Sequence, residues 1–227
     1  KGQCHAIVLL WHRIDDAFHD SISTGVEQFE RQLAILRHRY DLLDLQTFVE
    51  ERGKPRQRPV VVVTVAYRMA PEHRAPLAAH DCLDATRWAI EHAAEIGART
   101  DAVGVTGDSA GGNLAAGIAQ TLRDEGFPGL RHQALVYPAP DLTDRETDDL
   151  QLLAQRYPVL TPDMLRSFRS LYLGEEGDDR DPIVSPAFGD LTGLPPAWIL
   201  TCGADPLRDD GTAYAARLRE AWKSSVM

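Results

Sequence analysis

The feature that most narrows the choice of fold is a rhythm of short apolar runs alternating with helix-like stretches. His5–Leu10 is apolar enough for a buried strand, and Val60–Val65 (V-V-V-V-T-V) is a β-branched run typical of central parallel strands. Ala102–Thr106, Ala134–Tyr137 and Ala197–Thr201 repeat the pattern. Between them, apolar residues recur at helical steps: Val26, Phe29, Leu33, Leu36 and Tyr40, then Cys82, Ala85, Ala89, Ala93 and Ile96, with Gly97 placed to end that helix. Asn113–Leu122 and Asp210–Trp222 read as two more helices. Strands separated by helices of this length make βαβ units. The expected fold is therefore α/β, a mostly parallel sheet with helices on both faces.

Residues 139–190 interrupt the rhythm. They are acidic and Pro-rich, with one clear helix: Thr161 is placed as its N-cap, Pro162 at its first position, and Leu165, Phe168, Leu171 and Tyr172 on its apolar side. The stretch reads as an excursion over the substrate side of the sheet edge, where pocket walls are commonly built.

Charge and cysteine content remove several classes of function. Lys+Arg 24 against Asp+Glu 34 leaves a formal charge of −10 with no basic cluster, which argues against nucleic acid as a partner. Cys4, Cys82 and Cys202 are far apart and form no metal-binding or disulfide framework. No apolar run approaches the ~18 residues of a membrane span, and no signal peptide is evident. These features predict a cytoplasmic chain without a membrane span.

The chemistry concentrates in Gly107-Asp108-Ser109-Ala110-Gly111-Gly112, which follows one predicted strand and opens a helix. G-x-S-x-G between strand and helix is the pattern of a nucleophile elbow. The glycines allow a sharp turn and close helix packing, so the serine hydroxyl stands at the carboxyl edge of the sheet. The first N–H groups of the helix have no partner within it and can face a developing oxyanion. Asp205 follows the predicted strand 197–201 and so belongs to the same edge.

From about residue 60 to 222 the chain resembles the hormone-sensitive-lipase-like branch of the α/β-hydrolases. The matching segments are Tyr67-Arg68-Met69-Ala70-Pro71-Glu72-His73, the elbow continued through Asn113-Leu114-Ala115, Val184-Ser185-Pro186, Leu194-Pro195-Pro196-Ala197 and Asp205-Pro206-Leu207-Arg208-Asp209. The resemblance implies an α/β-hydrolase fold and hydrolysis of small acyl or aryl esters without a cofactor. It makes Ser109 the nucleophile, the Ala110 backbone N–H half of the oxyanion hole, and Asp205 the acid that orients a histidine. In that family the segment holding Glu72 and His73 is a structural loop, and Asp108 pins the elbow.

Two parts of the family pattern are missing. The triad histidine belongs downstream of the acid, beyond Met227, so the catalytic histidine is unassigned and the core is expected to be truncated at its C-terminus. The H-G-G-G oxyanion loop is absent before residue 60, where only Gly2, Gly25 and Gly53 occur. What stands there is similar instead to the opening of a polysaccharide deacetylase: Leu10-Trp11-His12-Arg13-Ile14-Asp15-Asp16, Phe29-Glu30-Arg31-Gln32-Leu33 and Arg58-Pro59 leading into Val60–Thr64. The deacetylase aspartates after that strand are replaced by Val65-Ala66-Tyr67-Arg68, and no H-x-x-x-H occurs, so no metal site is expected. The chain thus reads as a chimera. Residues 1–59 form a deacetylase-like segment that is not an independent domain, and residues 60–227 form a hydrolase core. A serine esterase with impaired turnover is the leading expectation. A catalytically silent or ligand-binding α/β domain is the alternative, and a metal-dependent deacetylase comes third. Loss of the last elements would expose an edge and favour self-association.

Overall fold

The computed structural model describes residues 4–10, 41–43, 60–96, 98–144, 151–152 and 160–225. Six strands run in chain order as β1 (Cys4–Leu10), β2 (Asp41–Leu43), β3 (Val60–Val65), β4 (Ala98–Asp108), β5 (Leu130–Val136) and β6 (Ala197–Leu200). They form one sheet in the order β2-β3-β1-β4-β5-β6, and every neighbouring pair is parallel. β1 therefore lies between β3 and β4, with Leu10 opposite both Val65 and Gly107. The N-terminal stretch contributes a central strand and an edge strand to the sheet.

The described helices of ten residues or more are α1 (Leu77–Glu91), α2 (Ala110–Asp124), α3 (Pro162–Leu173) and α4 (Arg208–Ser225). α2 is the centre of the core. Ala115, Ala116, Ala119 and Leu122 are almost fully buried, as are Val103 and Val105 of β4 and Leu135 of β5. Small side chains let this helix lie close to the sheet, and α1 packs beside it through Ala78, Ala79, Cys82 and Ala89. The register pairs Ala134 with Trp198 and Val136 with Leu200. In a pleated sheet these residues share the face opposite to Leu135 and Ile199. On that face Trp198 is 58% exposed and Leu200 40% exposed.

Most predicted elements occur, with shifted bounds. The strand expected at 102–106 runs from Ala98 to Asp108, because its start pairs with β1 at Cys4. The helix expected at 113–122 begins immediately after Ser109. The predicted strand ending at Tyr137 stops at Val136, since Tyr137 takes φ 35° and leaves the extended region. The strand expected to reach Thr201 ends at Leu200, and the helix expected from Asp210 already starts at Arg208. α1 ends at Glu91 rather than before Gly97: Ala93 and Ile96 are buried, but in turns, with Ala98 N–H donating to Ala93 C=O. Burial continued past the helix, and the helical hydrogen-bond ladder did not. Thr161 caps α3 as expected, its hydroxyl accepting from Met164 N–H at 3.3 Å, with Pro162 behind it. The helix predicted over Val26–Tyr40, the connector Arg52–Pro59, and His12, His19 and His38 lie outside the described residues.

Candidate active site

The elbow is shaped by two close approaches. A Cβ placed on Gly107 would collide with the backbone carbonyl of Gly111, so the first glycine of G-x-S-x-G is required by the backbone of the last. A Cβ on Gly112 would come within 2.9 Å of the Pro138 Cβ. Between them Ser109 adopts φ 53° and ψ −116°, a left-handed state that costs an L residue on the order of 1–3 kcal/mol. The surroundings hold it there. Ser109 N–H donates to Val136 C=O at 2.9 Å, and Ser109 C=O accepts from Asn113 N–H at 3.0 Å and from Ala139 N–H at 3.3 Å. Serine at the N-cap of a helix ordinarily caps it, yet the Ser109 side chain makes no capping bond to α2.

Neighbouring strand ends complete the edge. Asp108 pairs with Val136 and Val136 with Leu200, so β4, β5 and β6 finish side by side. Asp205 sits in the turn five residues after β6. Its carboxylate accepts from Leu207 N–H at 2.9 Å, its own N–H donates to Cys202 C=O, and its carbonyl accepts from Arg208 N–H. Burial raises the Asp205 carboxyl above the ordinary carboxylate value, and the Leu207 N–H partly offsets this. Tyr137 stands between the two regions. Burial first, then the charges of Asp108, Cys202 and Asp205, push its phenol upward, and Asp108 lies within hydrogen-bonding reach of it. Tyr67 is also in the field of Asp108, and burial raises it most.

The Tyr67–His73 segment is held as a loop. Arg68 clamps Asp81 of α1, its Nη2 at 2.6 Å from Oδ1 and its backbone N–H donating to Oδ2 at 2.9 Å. Glu72 and His73 are exposed. The other histidines with described side chains lie on α1, just past its end and on β5. His92 stacks on Trp88 with ring centroids 4.7 Å apart, His132 lies against Gly104 inside the sheet, and His80 is exposed on α1. Among the described residues, no group of three or more His, Cys, Asp or Glu is arranged to hold a metal, and no helix is long and apolar enough to cross a membrane. A cavity of about 340 Å³ lies between α4 and the 3-10 turn Pro186–Phe188, lined by Phe188, Tyr214 and Arg217 among others. Neither Ser109 nor Asp205 lines it.

Two residues of this edge were not singled out by the sequence. Tyr137 carries no glycine or motif to announce its turn; the only local cue is Pro138 behind a strand. Asn113 was visible only as the continuation of the elbow motif.

This is the architecture of an α/β-hydrolase, and residues 55–227 match a family described as having the alpha/beta hydrolase fold. The chain belongs to that family. It is 43% identical to esterase LipI of Mycobacterium tuberculosis over 164 residues, 71% of this chain and 50% of that protein. It is equally 43% identical to the carboxylic ester hydrolase LipN of the same organism over 173 residues, 73% of this chain and 46% of that one. A hyperthermophilic esterase from the archaeon Pyrobaculum calidifontis superposes with a TM-score of 0.76 at 33% identity, covering 97% of this chain and 65% of its own. The chain spans about half the length of LipI and LipN.

Proposed function

We propose that this chain is a carboxylic-ester hydrolase, with Ser109 as nucleophile, Ala110 N–H as an oxyanion donor and Asp205 as the acid that orients a histidine. One observation carries the reading: Ser109 is held in a left-handed backbone state at a strand-to-helix junction without using its side chain as a cap. In this reaction Ser109 Oγ attacks the carbonyl carbon of a small acyl or aryl ester. The serine proton passes to the imidazole and then to the departing alcohol, and water releases the acyl group by the same route. The oxyanion forms at the N-terminus of α2, where the helix dipole favours negative charge. The histidine that would serve as base is left unassigned.

The test is hydrolysis of p-nitrophenyl acetate and butyrate by the unaltered chain beside Ser109→Ala. Turnover lost in the variant supports the reading and directs the search to the histidine that serves Ser109. Equal background rates would sink it and leave an α/β-hydrolase fold without its chemistry. The exposed Trp198 and Leu200 on one sheet face support self-association as well. Light scattering should show a smaller species for Trp198→Lys than for the unaltered chain; identical sizes would remove this face from consideration.

A further inference from the structure

Helix α2 does more than present the elbow. A stripe of polar side chains along it, Asn113, Gln120 and Arg123, donates to carbonyl oxygens of the returning arm of the excursion. Gln120 Nε2 donates to Pro186 C=O at 2.7 Å, and Arg123 donates to Asp190 C=O at 2.7 Å and to Thr192 C=O. Asn113 differs from the other two. Its side-chain amide, in a residue only 3% exposed, donates to Ala139 C=O at 2.7 Å and to Val184 C=O at 2.7 Å. Ala139 N–H in turn donates to Ser109 C=O, which also accepts from the backbone N–H of Asn113 itself. The residue therefore closes a ring around the nucleophile: one donor to the Ser109 carbonyl is the Asn113 N–H, and the other is the N–H of Ala139, the residue whose carbonyl the Asn113 amide holds. Its second amide bond ties that ring to the arm at Val184. Ser185 reinforces the junction, its hydroxyl accepting from Leu142 N–H at 2.9 Å.

We propose that Asn113 is a positioning residue: the two donors of its side-chain amide hold the strained Ser109 peptide in place and couple it to the excursion. The proposal rests on the assignment of Ser109 as nucleophile. The physical demand is specific. Both partners are carbonyl oxygens, so the position needs two donors, and an ionised carboxylate of the same shape offers none. Releasing the ring lets the Ser109 peptide relax from its left-handed state, and small displacements of a nucleophile cost rate steeply.

The experiment measures the rate at which a fluorophosphonate probe labels Ser109, with fluoride as the leaving group, together with amide hydrogen exchange across 137–142. Asn113→Ala is expected to slow labelling about tenfold or more, and Asn113→Asp at pH 7 at least as much. Gln120→Ala removes a donor to the same arm farther along the helix. It should lower the melting temperature yet keep labelling within about twofold, as a separate site does. Ala139 N–H should lose protection in Asn113→Ala and keep it in Gln120→Ala. Labelling of Asn113→Ala at the unaltered rate, or equal slowing in Gln120→Ala, overturns the proposal. Should Asn113→Ala fail to fold, Asn113→Ser, with one hydroxyl donor, carries the same comparison, and unaltered labelling there overturns it equally. If the unaltered chain shows no labelling beyond Ser109→Ala, the esterase reading fails. Ala139 exchange then decides on the ring alone: protection unchanged in Asn113→Ala refutes it.

Discussion

Two adjacent strand ends turn out of the sheet in the same unusual way and get there by different means. Ser109 after β4 and Tyr137 after β5 are the non-glycine residues with positive φ among those described, at 53° and 35°. Ser109 is framed by glycines that let the backbone of α2 come within contact of β4. Tyr137 has Val136 and Pro138 as neighbours and is held from a distance, its N–H donating to Leu200 C=O at 2.7 Å. Both N–H groups bond to the strand beside them, Ser109 to Val136 and Tyr137 to Leu200, but only the first turn also has a glycine frame in the local chain. Strain at an edge can thus be encoded locally or borrowed from packing, and only the former leaves a mark in the sequence.

Substitutions can break or sharpen this contrast. The largest effect is expected at Gly107→Ala, where the new methyl meets the Gly111 carbonyl: about 3 kcal/mol lost in denaturant unfolding. Gly203, which has open space around it, should tolerate alanine within about 0.5 kcal/mol. A comparable cost at both positions would show that close approach is not what the elbow requires. Next in size, Ser109→Gly should gain about 1 kcal/mol by relieving the left-handed backbone, raising the melting temperature by about 2–4 °C, whereas Ser109→Ala should not. Equal melting temperatures would mean the elbow stores no strain.

Tyr137→Phe keeps the ring and removes the hydroxyl within reach of Asp108, a loss of about 0.5–1 kcal/mol by thermal unfolding. No change would assign the turn wholly to the backbone bond with Leu200. The smallest effect is at Asp205. A carboxyl raised by burial in the folded chain destabilises it as pH climbs above the folded value, and does not do so below the unfolded one. Asp205→Asn should therefore gain stability at pH 7, about 0.5 kcal/mol at this partial burial, and the gain should shrink toward pH 4. A gain independent of pH would trace to packing instead of charge.

Much of the fold was legible because its signals are local. The β-branched run of β3, the Thr161-Pro162 start of α3 and the glycines around Ser109 each act within a few residues, through backbone preference, capping and close approach. Ser109 was legible as a candidate for the same reason, whereas Asp205, though it follows a recognisable strand, became one only through the resemblance of Asp205-Pro206-Leu207-Arg208-Asp209. The end of α1 was misread because apolar spacing reports burial, and Ala93 and Ile96 are buried in turns as well as they would be in a helix.

The sequence by itself determined that strands and helices alternate, that the sheet is parallel, and that a serine sits at a glycine-framed elbow. Tertiary structure alone decided that β1 lies between β3 and β4, that Tyr137 leaves its strand with positive φ, and that the Asn113 amide reaches carbonyls 26 and 71 residues away. The physical reason is range. Dihedral preference and side-chain period are properties of neighbours along the chain, whereas a carbonyl becomes a partner only when folding brings distant backbone within about 3 Å of a donor.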